Sequence, residues 1–123
     1  IAEHLQFLQE RHVTTLAWKE CCTDPAKYFK EALEKLSASC PAVAVTFDCD
    51  TIDQEYAPGV SAANTDGLTP QAAQEIIQIA AENEKVKYLD LMEMNPLFDD
   101  SDRRTARLAA LLISLFCTTR SIG

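Results

Sequence analysis

The sequence contains few of the residues on which several common kinds of site depend. Its 123 residues include only three glycines, so it offers no Gly-rich loop of the kind that cradles phosphate. Its five cysteines are an odd number, and no two of them have CxxC spacing, which disfavours a zinc ribbon or a disulfide framework. We therefore expect reduced, mostly buried thiols in a cytoplasmic protein.

Basic residues, long apolar runs and histidines are also scarce. Eleven basic residues stand against 19 acidic ones, for a net charge of -8, whereas a nucleic-acid partner requires a basic surface. The longest apolar run, residues 108–117, is interrupted by Ser114 and falls short of the roughly 18 residues of a membrane span. The two histidines, His4 and His12, lie near the start and indicate no Ser-His-Asp arrangement. Neither nucleic acid nor membrane is an expected partner.

Helical and strand patterns alternate along the chain. Such alternation predicts an α/β fold in which helices flank a parallel β-sheet, and residues 1–123 form a single domain in this interpretation. A sheet of so few strands leaves an edge open, and the chain begins inside a helical pattern without Met, so a longer protein is expected. Helical patterns cover residues 1–11, two segments that start at Asp24-Pro25 and Thr69-Pro70, and residues 105–116. The last of these is apolar around most of its circumference, so we expect a buried helix. Strand patterns cover residues 13–18, 43–47 and 86–92.

Two aspartates, Asp48 and Asp50, follow the apolar strand pattern at 43–47. Parallel sheets bind ligands at the carboxyl ends of their strands, and in an extended backbone residues two apart project to the same side. Cys49, which lies between them, would then point away and pack. Neighbouring carboxylates repel each other unless a cation lies between them, and their oxygens suit manganese or magnesium. The alternative is that both aspartates only cap the turn that follows the strand.

A further carboxylate, Glu93, comes directly after the strand pattern at 86–92. It should therefore lie at the same edge of the sheet as the aspartate pair. There it could hold a cationic nitrogen of a substrate by charge-assisted hydrogen bonds. The alternative, taken from spacing alone, is a solvated loop residue.

Three segments of the chain match one family in order and spacing. Residues 46–59 (T-F-D-C-D-T-I-D-Q-E-Y-A-P-G) resemble the ureohydrolase signature, in which S-F-D-x-D-x-x-D-P precedes an A-P-G turn. Residues 90–96 (D-L-M-E-M-N-P) are similar to its D-x-x-E-x-N-P segment, and 105–110 (T-A-R-L-A-A) to its closing T-A-x-L-A-A helix. Within this family of arginases, agmatinases and formimidoylglutamases, residues 57–62 (A-P-G-V-S-A) favour the formimidoylglutamase branch.

The resemblance implies a fold, a cofactor and a reaction. It implies the carboxyl-terminal portion of a three-layer α/β/α domain and a hydrolase that cleaves a C–N bond of a guanidino or formimino substrate. Asp48 would bridge two manganese ions, Asp50 would bind one of them, and Glu93 would bind the substrate. A metal-bridging hydroxide would be the nucleophile, since bound metal lowers the pKa of water. Asp53 would orient the loop or support a ligand, and the protein is expected to form a homo-oligomer.

The chain also departs from the family pattern. The family's other metal ligands come from an upstream histidine motif and a D-A-H-x-D motif, and neither occurs in this sequence. Gln54 stands where the family usually has proline. With only part of the ligand set, the chain by itself should bind manganese weakly and be inactive. A non-catalytic family member is therefore one alternative.

The other alternative is a phosphatase of the haloacid-dehalogenase type. Residues 45–51 also fit that family's apolar strand followed by D-x-D-x-T, with Asp48 as nucleophile, Asp50 as acid and magnesium as the metal. Residues 98–102 (F-D-D-S-D) could serve as its later acidic motif. Under this alternative, the A-P-G and E-x-N-P segments would have no purpose.

Overall fold

The computed structural model describes residues 2–122 as five α-helices and two β-strands, with three helices before the first strand and one helix after each strand. No helix within that range is long and apolar enough to cross a membrane. A single 3₁₀ turn, Cys49–Thr51, follows the first strand directly. The elements are α1 (Ala2–Glu10), α2 (Trp18–Cys21), α3 (Pro25–Ser39), β1 (Val43–Asp48), α4 (Pro70–Glu82), β2 (Val86–Met92) and α5 (Arg104–Ile122).

The two central helices begin where the sequence predicts. The carboxylate of Asp24 accepts a hydrogen bond from the backbone N–H of Lys27 at 3.1 Å, and Pro25 takes the first helical position of α3. The hydroxyl of Thr69 accepts a bond from the backbone N–H of Ala72 at 3.2 Å at the start of α4. Caps of this kind each stabilise a helix by about 1 kcal/mol.

β1 and β2 pair in parallel, with α4 in the connection between them. The pairs Val45–Leu89 and Phe47–Leu91 face the helices, whereas the alternate pairs Thr46–Asp90 and Asp48–Met92 face the other side. The predicted α/β fold with a parallel sheet and flanking helices is therefore confirmed. Within residues 2–122 the helices cover only one face, so two of the three expected layers are present.

The hydrophobic core lies between β1 and three helices. Phe47 of β1 belongs to one buried cluster with Ala73, Ile76 and Ile77 of α4 and Leu112 of α5. The i, i+3, i+4 pattern of α4 thus corresponds to its buried face, as predicted. α4 packs against both α3 and α5.

The predicted strand at 13–18 is wrong. Residues 13–17 have no regular structure, and Trp18 begins the short helix α2. A strand exists only where a neighbour completes its backbone hydrogen bonds, and no strand of the described chain lies beside this segment. Val13 and Leu16 remain exposed, so the sheet has two strands here rather than three.

The last helix is present but is not buried on all sides. α5 contains the predicted 105–116 and continues to Ile122. Leu112 is fully buried, but Leu111 and Ile113 are 48% and 50% exposed. The expectation of a fully buried helix is therefore wrong for this chain, because α5 has packing partners on one side only in the described part.

Candidate active site at the carboxyl edge of the sheet

Asp48 and Glu93 lie at the same edge of the sheet. Asp48 is the last residue of β1 and pairs with Met92, the last residue of β2, so Glu93 is one residue beyond that pair. The sequence predicts this placement from the rule that parallel strands end at a common edge. The register therefore brings the two predicted acidic positions to neighbouring strand ends.

Asp50 reaches this edge by a different route from the one predicted. It lies in the 3₁₀ turn, which is closed by a hydrogen bond from the Thr51 hydroxyl to the backbone carbonyl of Asp48 at 2.6 Å. Ile52, the next residue, is fully buried and anchors the turn in the core. The expectation that Asp48 and Asp50 follow strand alternation is wrong, because the chain turns immediately after Asp48.

Cys49, between the two aspartates, is 1% exposed and packs into the protein as expected. Burial raises the pKa of its thiol to about 11, and the negative charges of Asp48 and then Asp50 add to the increase. Both carboxylates therefore act on the same buried sulfur. Cys49 is a packing residue that stays protonated at neutral pH.

The chemistry of the donor set fits a hard divalent cation, but only in part. Asp48 is exposed and Asp50 is half-buried, and carboxylate oxygens are the ligands that manganese and magnesium prefer. No lysine or arginine of residues 2–122 forms an ion pair with either carboxylate. The same residues contain no group of three Asp, Glu, His or Cys side chains that could hold a metal ion. A complete site therefore needs ligands from outside this range.

Glu93 has an unusual backbone. Its φ of 62° lies in the left-handed region, which costs a residue with a side chain about 1–2 kcal/mol. Neighbouring contacts hold it there: Met94 pairs with Val60, and the backbone N–H of Asn95 donates to the carbonyl of Gly59 at 2.7 Å. Strain of this kind is concentrated at functional sites. Nothing in the sequence indicates it, because the position is not a glycine.

The first loop, residues 52–69, folds back on itself beside Asp50. The backbone N–H of Asp53 donates to the carbonyl of Leu68 at 3.1 Å, and that of Leu68 donates to the carbonyl of Thr51 at 2.8 Å. The Asp53 carboxylate accepts a bond from the backbone N–H of Glu55 at 2.8 Å. In this structure Asp53 orients the loop, which agrees with the first of its two expected roles.

Gln54 makes a contact that proline could not make. Its backbone N–H donates to the carbonyl of Asn64 at 2.7 Å, across the first loop. Proline has no backbone N–H, so a chain with proline at this position would lack the bond. The departure from the family pattern at this residue therefore adds a backbone bond between the two sides of the loop.

The second loop, residues 93–103, contains the acidic segment that the phosphatase alternative would use as its later motif. Asp99 accepts hydrogen bonds from the backbone N–H groups of Thr105 at 3.1 Å and Ala106 at 3.0 Å, and Asp100 accepts one from Arg104 at 3.0 Å. These bonds cap the start of α5. The phosphatase alternative needs free carboxylates in this segment, and the structure uses two of its three aspartates, Asp99 and Asp100, as helix caps.

The pKa values of both caps reflect these bonds. Burial alone would raise the pKa of Asp99, but hydrogen bonds from Ala106 and Thr105 lower it below its ordinary value. The backbone bond from Arg104 and then its guanidinium lower the pKa of Asp100. Arg104 also donates to the backbone carbonyl of Glu55, which joins the first loop to α5.

Thr105 and Gly59 are structural residues of the site that sequence reasoning missed. Thr105 is 1% exposed, and its hydroxyl accepts a hydrogen bond from the backbone N–H of Gly59 at 2.7 Å. A Cβ on Gly59 would lie 2.7 Å from Cβ of Asp99 and 2.9 Å from Oγ1 of Thr105. The only signal in the sequence was their presence in the A-P-G and T-A segments, which did not reveal that these segments touch.

Comparison with known proteins gives consistent matches. The family model described as the arginase family matches residues 2–118. A formimidoylglutamase of Staphylococcus epidermidis is 38% identical over 84 residues, which cover 68% of this chain and 27% of that protein. A formimidoylglutamase of Geobacillus kaustophilus is 37% identical over 91 residues, which cover 74% of this chain and 28% of that protein. The chain thus spans less than a third of the length of either relative.

Solved structures share the fold. The formimidoylglutamase from Bacillus subtilis superposes with a TM-score of 0.90 at 20% identity, covering 98% of this chain and 38% of its own. A formiminoglutamase of Trypanosoma cruzi, crystallised with Mn²⁺, superposes with a TM-score of 0.79 at 27% identity, covering 97% and 40%. The arginase from Bacillus caldovelox gives 0.84 at 24% identity, covering 94% and 39%. The two strands and their helices therefore have the same arrangement in all three.

Proposed function

This chain belongs to the arginase family, and on that premise we propose that it is the carboxyl-terminal portion of a manganese-dependent linear amidine hydrolase, a longer protein whose α/β domain includes residues 1–123. The reaction is cleavage of a C–N bond in a formimino or guanidino substrate. The observation that supports the proposal is the pairing of Asp48 with Met92, which brings the carboxylate proposed as a metal ligand to the strand end next to Glu93. Relatives named formimidoylglutamase support formimidoylglutamate as the first substrate to test.

Asp48 and Asp50 are the residues of this chain that would hold manganese in the proposed site. Both offer hard oxygen donors that no cation of the described residues neutralises. Two manganese ions held there would supply hydroxide as the nucleophile near neutral pH, because metal lowers the pKa of bound water. The remaining ligands come from outside the chain, so residues 1–123 alone are expected to be inactive.

Glu93 is the proposed substrate-binding residue. Its carboxylate is exposed at the sheet edge, where it could accept charge-assisted hydrogen bonds from an amidinium or guanidinium group. The restrained backbone of Glu93, which precedes the pair between Met94 and Val60, fixes the position of this carboxylate relative to Asp48. Binding at Glu93 would therefore orient the amidine carbon toward the aspartate pair.

Two further features of the whole protein are part of the proposal. The five cysteines are unpaired, which supports a reducing, cytoplasmic location, but only Cys49 is buried, so the expectation of mostly buried thiols is wrong. A homo-oligomer is proposed from the family resemblance, with a small molecule as substrate.

The decisive experiment is an assay of the full-length protein with manganese against formimidoylglutamate, arginine and agmatine, with formamide and urea measured separately. We expect formamide from formimidoylglutamate and about two manganese ions per chain. Urea would move the protein to the arginase or agmatinase branch. No product and no manganese would favour a non-catalytic family member. A fluoride phosphate mimic trapped on Asp48 would instead establish the phosphatase.

A pair of substitutions at Glu93 separates its charge from its backbone strain. Glu93→Gln removes the carboxylate but keeps the strain, so KM should rise about tenfold to a hundredfold, the equivalent of one lost charge-assisted bond. Glu93→Gly also removes the carboxylate, but glycine adopts a φ of 62° freely, so the free energy of unfolding should increase by about 1 kcal/mol.

Both variants should retain the manganese content of the parent, because Glu93 is not a proposed ligand. Steady-state kinetics, metal analysis and urea unfolding measure the three quantities. A Glu93→Gly variant that is less stable than the parent would show that the left-handed backbone at this position costs nothing. Manganese loss in Glu93→Gln would contradict the assignment of this residue to substrate.

A further inference from the structure

Gly59 joins the first loop to the second loop and to α5 through its own peptide groups. Its backbone N–H donates to the hydroxyl of Thr105, and its carbonyl accepts from the backbone N–H of Asn95, both at 2.7 Å. The residue is buried, and a Cβ would collide with Asp99 and Thr105. The junction is therefore closely packed as well as hydrogen-bonded.

Thr105 contributes to this junction through its side-chain oxygen. That oxygen accepts a hydrogen bond from the backbone N–H of Gly59. Asp99 in turn accepts from the backbone N–H groups of Thr105 and Ala106. The acceptor that Gly59 needs is thus held in place by the first turn of α5.

The junction reaches Asn95, which is two residues after the strained Glu93. Asn95 is bonded to Gly59, Met94 pairs with Val60, and Glu93 precedes Met94 with a φ of 62°. A left-handed backbone at a residue with a side chain persists only where its surroundings fix it. On the strand side, the pair between Met92 and Asp48 provides that restraint. On the loop side, the bonds of Gly59 provide it.

We propose that Thr105 and Asp99 are positioning residues, which hold the Glu93 carboxylate at its distance from Asp48 through Gly59 and Asn95. The inference rests on the proposed function, because it assigns the two residues a part in the binding of the same substrate. Neither residue touches the substrate or a metal ion. Their effect reaches the site only through the backbone of residues 93–95.

The test compares Thr105→Val with Thr105→Ser in the full-length protein. Valine removes the acceptor of Gly59 without changing the size of the side chain much, whereas serine keeps the hydroxyl. Misplacement of a binding group by about 1 Å costs up to roughly a hundredfold, so Thr105→Val should raise KM for formimidoylglutamate by about tenfold to a hundredfold. Manganese content should stay at the parent value, and Thr105→Ser should restore most of the affinity.

Thr69→Val is the matched control. It also removes a threonine hydroxyl that accepts a backbone N–H at the start of a helix, but in α4 rather than beside the second loop. It should lower the Tm and leave KM unchanged. If Thr105→Val fails to fold, Asp99→Asn replaces it, with a rise in KM expected in the same direction. Equal KM values for the parent and the junction variant would overturn the proposal, and so would loss of manganese.

Hydrogen exchange gives a readout that does not depend on activity. Amide exchange in residues 93–98 should be faster in Thr105→Val than in the parent, and unchanged in Thr69→Val. If the parent protein hydrolyses none of the three substrates, the proposed function fails, and exchange still decides whether the junction fixes the loop. Exchange at the parent rate in Thr105→Val would show that it does not.

Discussion

Replacing Asp48 with asparagine in the full-length protein should abolish hydrolysis and lower the bound manganese, while the free energy of unfolding stays close to that of the parent. Asparagine has the same shape but no charge, so it is a poor bridging ligand between two cations. The loss should exceed the roughly tenfold to hundredfold that removal of a supporting residue costs at metal sites. The fold should survive because Asp48 is exposed at the strand end and contributes only its backbone carbonyl to the turn.

Asp66→Asn is the control for this change. Asp66 is an exposed aspartate on the first loop, and its backbone N–H donates a hydrogen bond to the side-chain oxygen of Asn64. Asp66→Asn also removes one negative charge, but it should leave kcat, KM and metal content unchanged. Metal analysis and steady-state kinetics of both variants check the result. Retained activity with a full complement of manganese in Asp48→Asn would refute the role of Asp48 as a ligand.

Gly67→Ala should be the most destabilising small change in the first loop. A Cβ at this position would lie 2.5 Å from the backbone nitrogen of Asp53, 2.6 Å from the carbonyl oxygen of Thr51 and 2.7 Å from the carbonyl carbon of Ile52. All three are backbone atoms, so no flexible side chain can move aside. Overpacking of this kind costs about 1–3 kcal/mol and sometimes more. Because Asp50 directly precedes the displaced segment, activity should fall as well.

Urea unfolding of the full-length protein measures the effect, with Ser61→Ala as the control. Ser61 is exposed on the same loop, so alanine there should change the free energy of unfolding by less than about 0.5 kcal/mol. An unchanged unfolding midpoint for Gly67→Ala would mean that the loop does not pass this close to residues 51–53 in solution.

The four longer helices and the two paired strands could be predicted because their signals are local. Asp24-Pro25 and Thr69-Pro70 each contain the cap and the first helical residue, and the side-chain bonds that form are those the pattern requires. The apolar runs of β1 and β2 each find the other as partner. The meeting of Asp48 with the residue before Glu93 then follows from topology, without knowledge of any side-chain contact.

The remaining features depend on contacts between distant parts of the chain. Residues 13–18 have the composition of a strand, but strand formation needs a neighbour, which composition does not supply. The 3₁₀ turn at Asp50 overrides the alternation that an extended chain would have. The φ of Glu93 and the bond from Gly59 to Thr105 arise only after the two loops have met, so no window of sequence reveals them.

The residues that meet at Gly59 are far apart in the sequence, and this separation affects the entropy of folding. The bond to Thr105 closes a segment of 46 residues, whereas α3 completes its own bonds within 15. Closing a long flexible segment has an entropic cost that rises only with the logarithm of its length. Most of the entropy lost when the carboxyl edge becomes ordered therefore depends on how freely the loop backbone moves in the unfolded chain. A substitution there that restricts the unfolded chain stabilises the edge without adding a single contact to it.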